Sequence, residues 1–392
     1  MRPCSLRTTF GVVGDQVSHQ REPPDGTTGA GVSEGSGRVV GYDVARSLAL
    51  LGMIVVHFSL VAAADRSAPA WLAAILDLLD GRAAATFVVL AGVGLTLMSR
   101  QAVSSGESAR LAAVRKTFVR RGLFLLALGF VNLTFWPGDI LRVYGVSLLL
   151  ASRLLLASGR RLLAAAAGFA VVFAVLVMVG DFEKNWDWST LTYHNLWSPA
   201  GVVRNLFYDG FRSVLPWTGF VLFGMWLGRL DLTDRRTNRR VLLVAATVTV
   251  AAEGVSRLLV SYLLANPLNG TDAETVIALF GTSSMPALPL FLLAAGGAAT
   301  VVIALSVRTA SLMAEAWRPL VSTGQMALTW YFAHIVVGLG SLIALGFAGT
   351  ESLPVAAGYG LMFFGTAVLL SWAWKAVFRH GPLEWLMRRV AG

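Results

Sequence analysis

Few ionisable side chains interrupt the apolar runs of this sequence, and those few could support chemistry. His57 is the clearest case, because it lies in the apolar stretch Met53–Leu60 with nothing polar three or four residues before it. A buried histidine bonded to another helix is the commoner role for such a residue. A neutral imidazole near an aqueous entrance is also the group best suited to proton transfer near neutral pH. The sequence leaves both roles open.

Asp43 and Arg46 lie at the start of the predicted helix that contains His57. They are three residues apart and therefore share one face of a helix. A helix start explains them without function, since an early aspartate satisfies free backbone N–H groups and arginine reaches toward lipid headgroups. The alternative is that the pair shapes an entrance to the site.

The densest polar and aromatic patch surrounds the turn Pro137-Gly138. Asp139 and Arg142 follow this turn in the i, i+3 relation, and Tyr144 comes two residues after Arg142. A turn, a helix cap and interfacial aromatic residues account for part of the patch. Because Arg142 and Tyr144 lie about one turn inside an apolar run, we favour a functional role for them.

Asp80 and Arg82 flank Gly81 just before another apolar run. An exposed turn and a substrate-binding pair are equally good explanations of this pattern. Gly92 and Gly94 follow in that run, where small residues allow a second helix or a flat ligand to come close.

Two further polar features are best explained as structural. Glu253 precedes Arg257 by four residues, the favourable order for a helical ion pair, so we expect these two residues to neutralise each other. His334 has Trp330 four residues before it, and we expect the two rings to stack.

The composition decides what kind of protein positions these residues. The chain has 392 residues, 56% of them apolar, only 14% charged, and a mean hydropathy of +0.67. Soluble domains carry about 25% charged residues. This deficit excludes an ordinary soluble enzyme, a nucleic-acid binder and a disordered chain, despite the net charge of +10. The single cysteine, Cys4, and five scattered histidines offer no disulfide framework and no metal site.

The apolar runs predict an all-α, polytopic membrane bundle. A hydrocarbon core of about 30 Å needs roughly 20 apolar residues per helix. Ten runs approach or satisfy this length, and they are Val44–Ala64, Ala83–Met98, Phe118–Phe135, Ile140–Leu156, Leu162–Gly180, Val214–Leu230, Val241–Leu264, Pro286–Leu305, Met326–Ala348 and Pro354–Val377.

The basic residues predict the orientation of the bundle. If the N-terminus is cytoplasmic, the inner connections hold 20 Lys and Arg residues and the outer connections hold 5. Cytoplasmic connections retain Lys and Arg, so both termini are expected to face the cytoplasm of a plasma-membrane protein.

The N-terminal segment differs from the rest. Residues 1–40 form a polar leader, and its stretch Gly26–Gly37 is rich in Gly, Ser and Thr, which predicts disorder. No apolar segment precedes a small-residue cleavage site, so we expect no signal peptide. The chain therefore divides into a disordered leader, residues 1–40, and one membrane domain, residues 41–392.

Six short motifs, in order along the chain, resemble those of bacterial YeiB-like membrane proteins, which are relatives of heparan-alpha-glucosaminide N-acetyltransferase. They are Arg38-Val-Val-Gly-Tyr-Asp43-Val-Ala-Arg46 continuing to His57, Gly81-Arg82 continuing through Phe87 to Gly92-Val-Gly94, Gly138-Asp139-Ile-Leu141, Leu215-Pro216-Trp217 followed by Gly224-Met-Trp-Leu-Gly228-Arg229, Thr323-Gly324-Gln-Met-Ala327-Leu-Thr329-Trp-Tyr331, and Gly381-Pro382-Leu-Glu384-Trp385-Leu-Met-Arg388.

The resemblance implies a transmembrane acyltransferase, with no tightly bound cofactor. Such proteins take an acyl group, usually acetyl, from cytoplasmic acyl-CoA and pass it to a sugar hydroxyl or amine on the far side. His57 then matches a proposed catalytic polar residue of the family, which is Asn in the animal lysosomal enzymes. Those enzymes also carry a histidine in the loop after that helix, whereas here no histidine occurs between His57 and His194. A two-residue mechanism therefore does not transfer intact.

The sequence predicts His57 as the catalytic base and eight substrate-binding residues around it: Asp43, Arg46, Asp80, Arg82, Asp139, Arg142, Tyr144 and Trp217. Asp43 and Arg46 would shape the cytoplasmic entrance, and Asp139, Arg142 and Tyr144 would position an envelope glycan or small-molecule acceptor from outside. The partners are thus the bilayer, acyl-CoA and that acceptor. The alternative is a non-enzymatic transporter or export accessory, because paired charges and outer aromatic residues also suit a substrate pathway.

Overall fold

The computed structural model describes residues 38–392 except residues 66, 189 and 268–270. Residues 1–37 of the disordered leader, which is predicted for residues 1–40, lie outside the described residues. The first helix begins at Val40, upstream of Asp43, so Asp43 lies inside the first turn.

The described residues form sixteen α-helices and two π-helical segments. The helices are α1 (Val40–Ala62), α2 (Ala70–Leu79), α3 (Arg82–Ser105), α4 (Ser108–Leu133), α5 (Leu141–Arg153), α6 (Gly159–Val179), α7 (Pro199–Arg204), α8 (Val214–Leu227), α9 (Arg235–Ala265), α10 (Ala273–Phe280), α11 (Pro289–Ala310), α12 (Ala314–Gln325), α13 (Ala327–Ala333), α14 (Gly340–Ala344), α15 (Leu353–Val377) and α16 (Pro382–Ala391). The π-helical segments are Asn205–Asp209 and His334–Leu339, and the second continues α13 into α14.

The described residues also include four very short strands, which form two pairs. β1 (Ala63–Asp65) pairs in parallel with β4 (Glu351–Ser352), which ties the end of α1 to the start of α15. β2 (Trp186–Asp187) and β3 (Thr192–Tyr193) form a small antiparallel pair. The helical class predicted from the apolar runs is confirmed.

Seven helical segments of the described chain are long and apolar enough to cross a membrane. They are Val40–Ala62, Ala70–Ser105, Gly159–Val179, Arg235–Ala265, Pro289–Ala310, Ala327–Ala344 and Leu353–Val377. The other three predicted spans are also helices, namely α4, α5 and α8. The first half of α4 is rich in basic residues, α5 has only 13 residues, and α8 has 14. The total of ten spans therefore stays a prediction.

Glycine allows the central helices to approach one another closely. A Cβ on Gly92 of α3 would lie 2.1 Å from the Val221 carbonyl oxygen, and one on Gly224 of α8 would lie 2.1 Å from that of Val89. A Cβ on Gly324 of α12 would likewise lie 1.9 Å from the carbonyl oxygen of Asp43 in α1. These contacts fix α1, α3, α8 and α12 around a common core.

We name the two ends of the bundle by the residues that lie there. The basic end holds the start of α1, Arg121 and α16. The oxygen of Gly392, which follows α16 directly, accepts a hydrogen bond from the Arg121 guanidinium at 3.0 Å. The loop end holds the end of α1 and residues 181–212. These two ends are the reference for the site below.

Candidate functional site

Two histidines from distant parts of the chain meet near the loop end of the bundle. His57 Nδ1 lies 3.0 Å from His334 Nε2, and the two rings stack with centroids 5.2 Å apart. His57 belongs to α1 and His334 opens the π-helical segment His334–Leu339. Local π-helix often marks functional sites, because the wider turn redirects side chains. Both rings are buried, although 7% of the His57 surface remains exposed.

The hydrogen bonds around the pair assign its tautomers. His334 Nδ1 lies 3.3 Å from the carbonyl oxygen of Trp330, which can only accept, so Nδ1 of a neutral His334 carries the proton. His334 Nε2 is then the acceptor for His57 Nδ1–H. His57 Nε2 is left with the free lone pair, which is the form that a general base requires. These protonation states are inferred from the bonding network.

Aromatic rings enclose the histidine pair on both sides. The Trp136 ring lies 5.0 Å from that of His57, and the Tyr331 ring lies 5.3 Å from that of His334. The Tyr331 hydroxyl accepts a hydrogen bond from the backbone N–H of Ile140 at 3.1 Å. The surroundings of His57 are therefore aromatic and polar.

Trp136 forms part of the wall of a cavity of about 630 Å³ at the loop end. Tyr193, Asn195, Trp197 and Asn205 also line this loop-end cavity. Because Trp136 touches both the cavity and the His57 ring, one aromatic side chain separates the cavity from the histidine pair.

A second cavity, of about 250 Å³, opens between helices toward the basic end. Arg46, Arg121 and Glu384 line it with charged groups, whereas Phe87 and Tyr144 line it with aromatic rings. Phe87 and Tyr144 come early in α3 and α5, both of which start at the loop end. This basic-end cavity therefore extends from the charged end of the bundle into its interior.

A short series of rings connects the basic-end cavity to the histidine pair. The Phe87 ring lies 5.8 Å from that of Tyr144 and 6.2 Å from that of Tyr331, which in turn contacts His334. The Tyr144 hydroxyl is buried and has no hydrogen-bond partner among the described residues. It is thus a polar group available to a molecule in the cavity that Tyr144 lines.

Asp139 and Arg142 form a buried network behind these rings. Asp139 accepts hydrogen bonds from Asn132 at 2.8 Å and from the Arg142 backbone N–H at 3.0 Å, and the Arg142 guanidinium lies 3.4 Å from the same carboxylate. Arg142 also donates to Asn205 at 2.8 Å. Asn205 belongs to the other π-helical segment and lines the loop-end cavity, so Arg142 reaches that cavity only through Asn205.

The structure separates the three residues that the sequence groups at the outer mouth. Asp139 and Arg142 are buried in their own network, and Tyr144 lines the basic-end cavity. Asp43 and Arg46, by contrast, lie together at the basic end as expected, joined by a 2.8 Å ion pair. Arg46 also approaches the Gly324 carbonyl oxygen at 3.4 Å.

Arg82 is buried, so the interpretation of Asp80 and Arg82 as an exposed turn is wrong for it. Its guanidinium pairs with Glu253 of α9 and lies 3.3 Å from the Thr282 hydroxyl, while Asp80 accepts from the Ser284 hydroxyl at 3.1 Å. The expected pairing of Glu253 with Arg257 is also wrong. Glu253 of α9 is paired across the bundle with Arg82 of α3 instead.

Trp217 is fully buried between helices and lies outside both cavities. The guanidinium of Arg212 lies 4.8 Å above its ring, and Phe291 and Phe220 pack beside it. Arg212 is itself buried and bonds the Ser284 hydroxyl at 3.4 Å. Trp217 therefore supports Arg212 by a cation–π contact.

The loop end is closed by a hydrogen-bonded cap. Tyr193 donates to the Asp209 carboxylate at 2.7 Å, Arg204 pairs with the same carboxylate, and Trp186 donates to the Asp209 carbonyl oxygen at 2.6 Å. Burial raises the pKa of the Tyr193 hydroxyl to about 12, so it keeps its proton at neutral pH and can donate. The cap holds the aromatic wall of the loop-end cavity in place.

His334, Tyr331 and Trp136 are the site residues that sequence reasoning missed. The sequence does contain a signal for the histidine pair, since only His57 and His334 of the five histidines lie in predicted spans. In the structure the His334 ring faces His57 and Tyr331, and Trp330 contributes only its carbonyl oxygen. Within the described residues, no three His, Cys, Asp or Glu side chains gather as metal ligands do.

Comparisons with known proteins agree with this architecture. A family model described as "Heparan-alpha-glucosaminide N-acetyltransferase, catalytic" matches residues 38–267, and one described as "Protein of unknown function (DUF418)" matches residues 227–392. The uncharacterised protein YeiB of Escherichia coli K12 is 26% identical over 90% of this chain and 96% of its own length. The first family model spans His57 and both glycines of the α3–α8 crossing. The chain therefore belongs to the heparan-alpha-glucosaminide N-acetyltransferase catalytic-domain family, and it is similar to YeiB over most of its length.

Proposed function

We propose that this protein is a transmembrane acyltransferase. It transfers an acyl group, typically acetyl, from cytoplasmic acyl-CoA to a hydroxyl or amine of an envelope acceptor on the outer side of the plasma membrane. The observation that carries the proposal is the His57–His334 pair, which lies between two cavities that approach it from opposite ends of the bundle. Ten spanning helices with both termini in the cytoplasm make the basic end the cytoplasmic one.

The basic-end cavity is the proposed donor site. The volume of about 250 Å³ suits the narrow thioester arm of acyl-CoA and excludes its bulky nucleotide, which would stay near the surface. Arg46 and Arg121 line the cavity, and further arginines between Arg100 and Arg121 carry the positive charge that attracts the CoA phosphates. The unpartnered Tyr144 hydroxyl is available to donate to the thioester carbonyl oxygen.

The loop-end cavity is the proposed acceptor site. Trp136, Trp197 and Tyr193 supply flat apolar surfaces, and Asn195 and Asn205 supply amide donors and acceptors. That mixture is typical of sites for polar ring compounds such as sugars. Movement of Trp136 would bring an acceptor in this cavity against His57, because the two rings already touch.

In the proposed reaction, His57 Nε2 removes the proton from the acceptor hydroxyl or amine as its oxygen or nitrogen attacks the thioester carbonyl carbon. The carbon–sulfur bond then breaks, CoA leaves as the thiolate, and the proton held by His57 returns to that sulfur. His334 holds the His57 tautomer by accepting from Nδ1. Transfer through an acyl-histidine is the other route open to the same pair.

The decisive experiment uses purified protein in nanodiscs, radiolabelled acetyl-CoA and an extract of envelope glycans. We expect label to enter the glycan fraction and His57→Ala to lower its rate by about a hundredfold or more. His194→Ala is the matched control, because His194 is an exposed histidine in the loop-end segment. Equal rates for His57→Ala and the wild type would overturn the role of His57.

A binding measurement separates the enzyme from the non-enzymatic transporter. Acetyl-CoA at about 100 times its Kd would stabilise a protein with a donor site by about 2.7 kcal/mol and raise its melting temperature. A transporter that handles only the acceptor would melt at the same temperature with and without acetyl-CoA. Desulfo-CoA, which keeps the nucleotide and the pantetheine arm but has no sulfur and no acyl group, serves as the control for the contribution of the thioester.

A further inference from the structure

Another cavity of the described chain lies away from the proposed acyl-transfer site. It is a cleft of about 700 Å³ walled by α6, α8, α9 and α11. Its lining is apolar except for Arg240 at one end and Thr300 on the α11 wall. The volume falls within the range of about 300–1,000 Å³ that is typical of small-molecule sites.

Small residues create this cleft. Ala166 and Ala170 on α6, Gly219 on α8, and Gly296 on α11 line it. A Cβ on Gly296 would lie 3.6 Å from Phe220, so the missing side chain leaves space without causing the helices to collapse. At Gly92 and Gly224 the backbone of a second helix occupies the place of the missing side chain, whereas at Gly296 no backbone does so.

The length of the cleft matches one leaflet of a bilayer. Its α8 wall runs from Pro216 to Trp226, which is about 15 Å at 1.5 Å per residue. A hydrocarbon core is about 30 Å thick, so each leaflet contributes about 15 Å. The cleft therefore has the depth of a single acyl chain of a lipid in one leaflet.

Arginines surround the mouth of the cleft at the basic end. Arg240 lines it directly, and Arg236 and Arg239 lie one turn or less away on α9. The start of α6 is close as well, since a Cβ on Gly159 would lie 3.1 Å from Trp226, another lining residue. Arg160 and Arg161 follow Gly159 directly and are exposed.

We propose that this cleft binds one anionic phospholipid. One acyl chain lies along the apolar walls, and the phosphate with its anionic headgroup lies at Arg240 among the neighbouring arginines. The charge favours this occupant over a neutral lipid, because arginine binds phosphate oxygens in a fixed, paired geometry. The depth of one leaflet favours a lipid over a peptide or a soluble metabolite, and so do Val171 and Val244, two apolar lining residues that are exposed at the outer surface of the bundle.

The test measures retained lipid on the full chain. The protein is reconstituted in vesicles of equal dioleoyl phosphatidylglycerol and dioleoyl phosphatidylcholine, extracted in mild detergent, and weighed by native mass spectrometry. We expect one phosphatidylglycerol to stay bound in preference to phosphatidylcholine. Arg240→Gln should lower that retention about fivefold, the factor that corresponds to one basic residue near a membrane surface. Arg240→Lys should restore most of it.

Two pairs of variants provide matched controls. Ala167→Phe fills the cleft and should remove the bound lipid, whereas Ala164→Phe adds the same ring to α6 at an exposed position outside the cleft. Arg308→Gln removes a charge from the last turn of α11, also outside the cleft, and should leave retention unchanged. The proposal fails if phosphatidylcholine is retained equally or if no lipid is retained. It also fails if Ala164→Phe loses as much lipid as Ala167→Phe, or Arg308→Gln as much as Arg240→Gln.

Discussion

At the scale of single residues, the chemistry depends on which nitrogen of His57 is free. His334 decides this because its own Nδ1 proton is held by the Trp330 carbonyl oxygen, which makes Nε2 an acceptor. A histidine with no such neighbour would exchange tautomers freely. In this interpretation His334 is a positioning residue, and the reacting atom belongs to His57.

We predict that His334→Leu lowers kcat for acetyl transfer by about a hundredfold while the KM for acetyl-CoA changes little. Leucine removes the acceptor for His57 Nδ1–H. The proton of a neutral His57 can then lie on either ring nitrogen. His334→Gln places an amide oxygen in the same region and should recover part of kcat. Steady-state kinetics at saturating acceptor measures both constants. Loss of binding with unchanged kcat would show that His334 only shapes the pocket.

The buried ion pair of Asp139 and Arg142 belongs to the same scale. Both side chains are excluded from water, at 0% and 1% exposed. Asp139→Asn leaves the arginine charge uncompensated and should destabilise the fold by about 3–5 kcal/mol. The double variant Asp139→Asn with Arg142→Met removes both charges and should melt above the single variant. Thermal unfolding in detergent checks this order, and additive losses would contradict coupling of the two residues.

At the scale of helices, the crossing of α3 and α8 distinguishes two glycines that look alike in the sequence. Gly92 touches the α8 backbone, whereas nothing lies within 4 Å of the position that a Cβ on Gly94 would take. Gly92→Ala should force the helices apart and destabilise the protein by about 1–3 kcal/mol. Gly94→Ala should be neutral or slightly stabilising, since alanine favours helix. Melting temperatures of the two variants provide the comparison.

The sequence was sufficient to find the helices, because burial in lipid demands long apolar runs. Each of the ten predicted runs overlaps a helix of the structure. The sequence was insufficient to identify which residues the buried polar side chains contact. A single sequence indicates only the neighbours three or four residues away on the same helix, so it pairs Glu253 with Arg257 and the His334 ring with that of Trp330. In the structure Glu253 pairs with Arg82, 171 residues away, and the His334 ring stacks on that of His57, 277 residues away.

The same limit explains why the sequence predicts Tyr144 beside the acceptor at the outer side, whereas in the structure it lines the basic-end cavity. Its depth inside a run was predicted, but depth alone does not tell which cavity a side chain lines. Rotation of α5 about its axis decides that, and the rotation is set by close contact with α4, where a Cβ on Gly145 would lie 2.7 Å from the Gly122 carbonyl oxygen. Tyr144 thereby contacts Phe87 and lines the basic-end cavity.

At the scale of the whole molecule, acyl transfer from cytoplasm to envelope requires the two cavities to open on opposite sides of the membrane. The basic end carries the arginines that cytoplasmic connections retain, and the loop end carries the aromatic cap. This orientation depends on α8, whose 14 residues reach only about 21 Å of a core about 30 Å thick. Neighbouring loops must supply the remaining depth if α8 spans.

We predict that α8 does span and that the loop end faces outward. Cys4 is the only cysteine, so Cys4→Ser gives a background for single reporters. Lys184→Cys and Ser311→Cys lie on exposed connections separated by three predicted spans, the runs that contain α8, α9 and α11. An impermeant maleimide should label Lys184→Cys in intact cells and Ser311→Cys only after the membrane is opened. Labelling of both positions from outside would mean that α8 does not cross. The reverse pattern would put the arginine-lined cavity on the side away from acyl-CoA, and the proposed direction of transfer would be wrong.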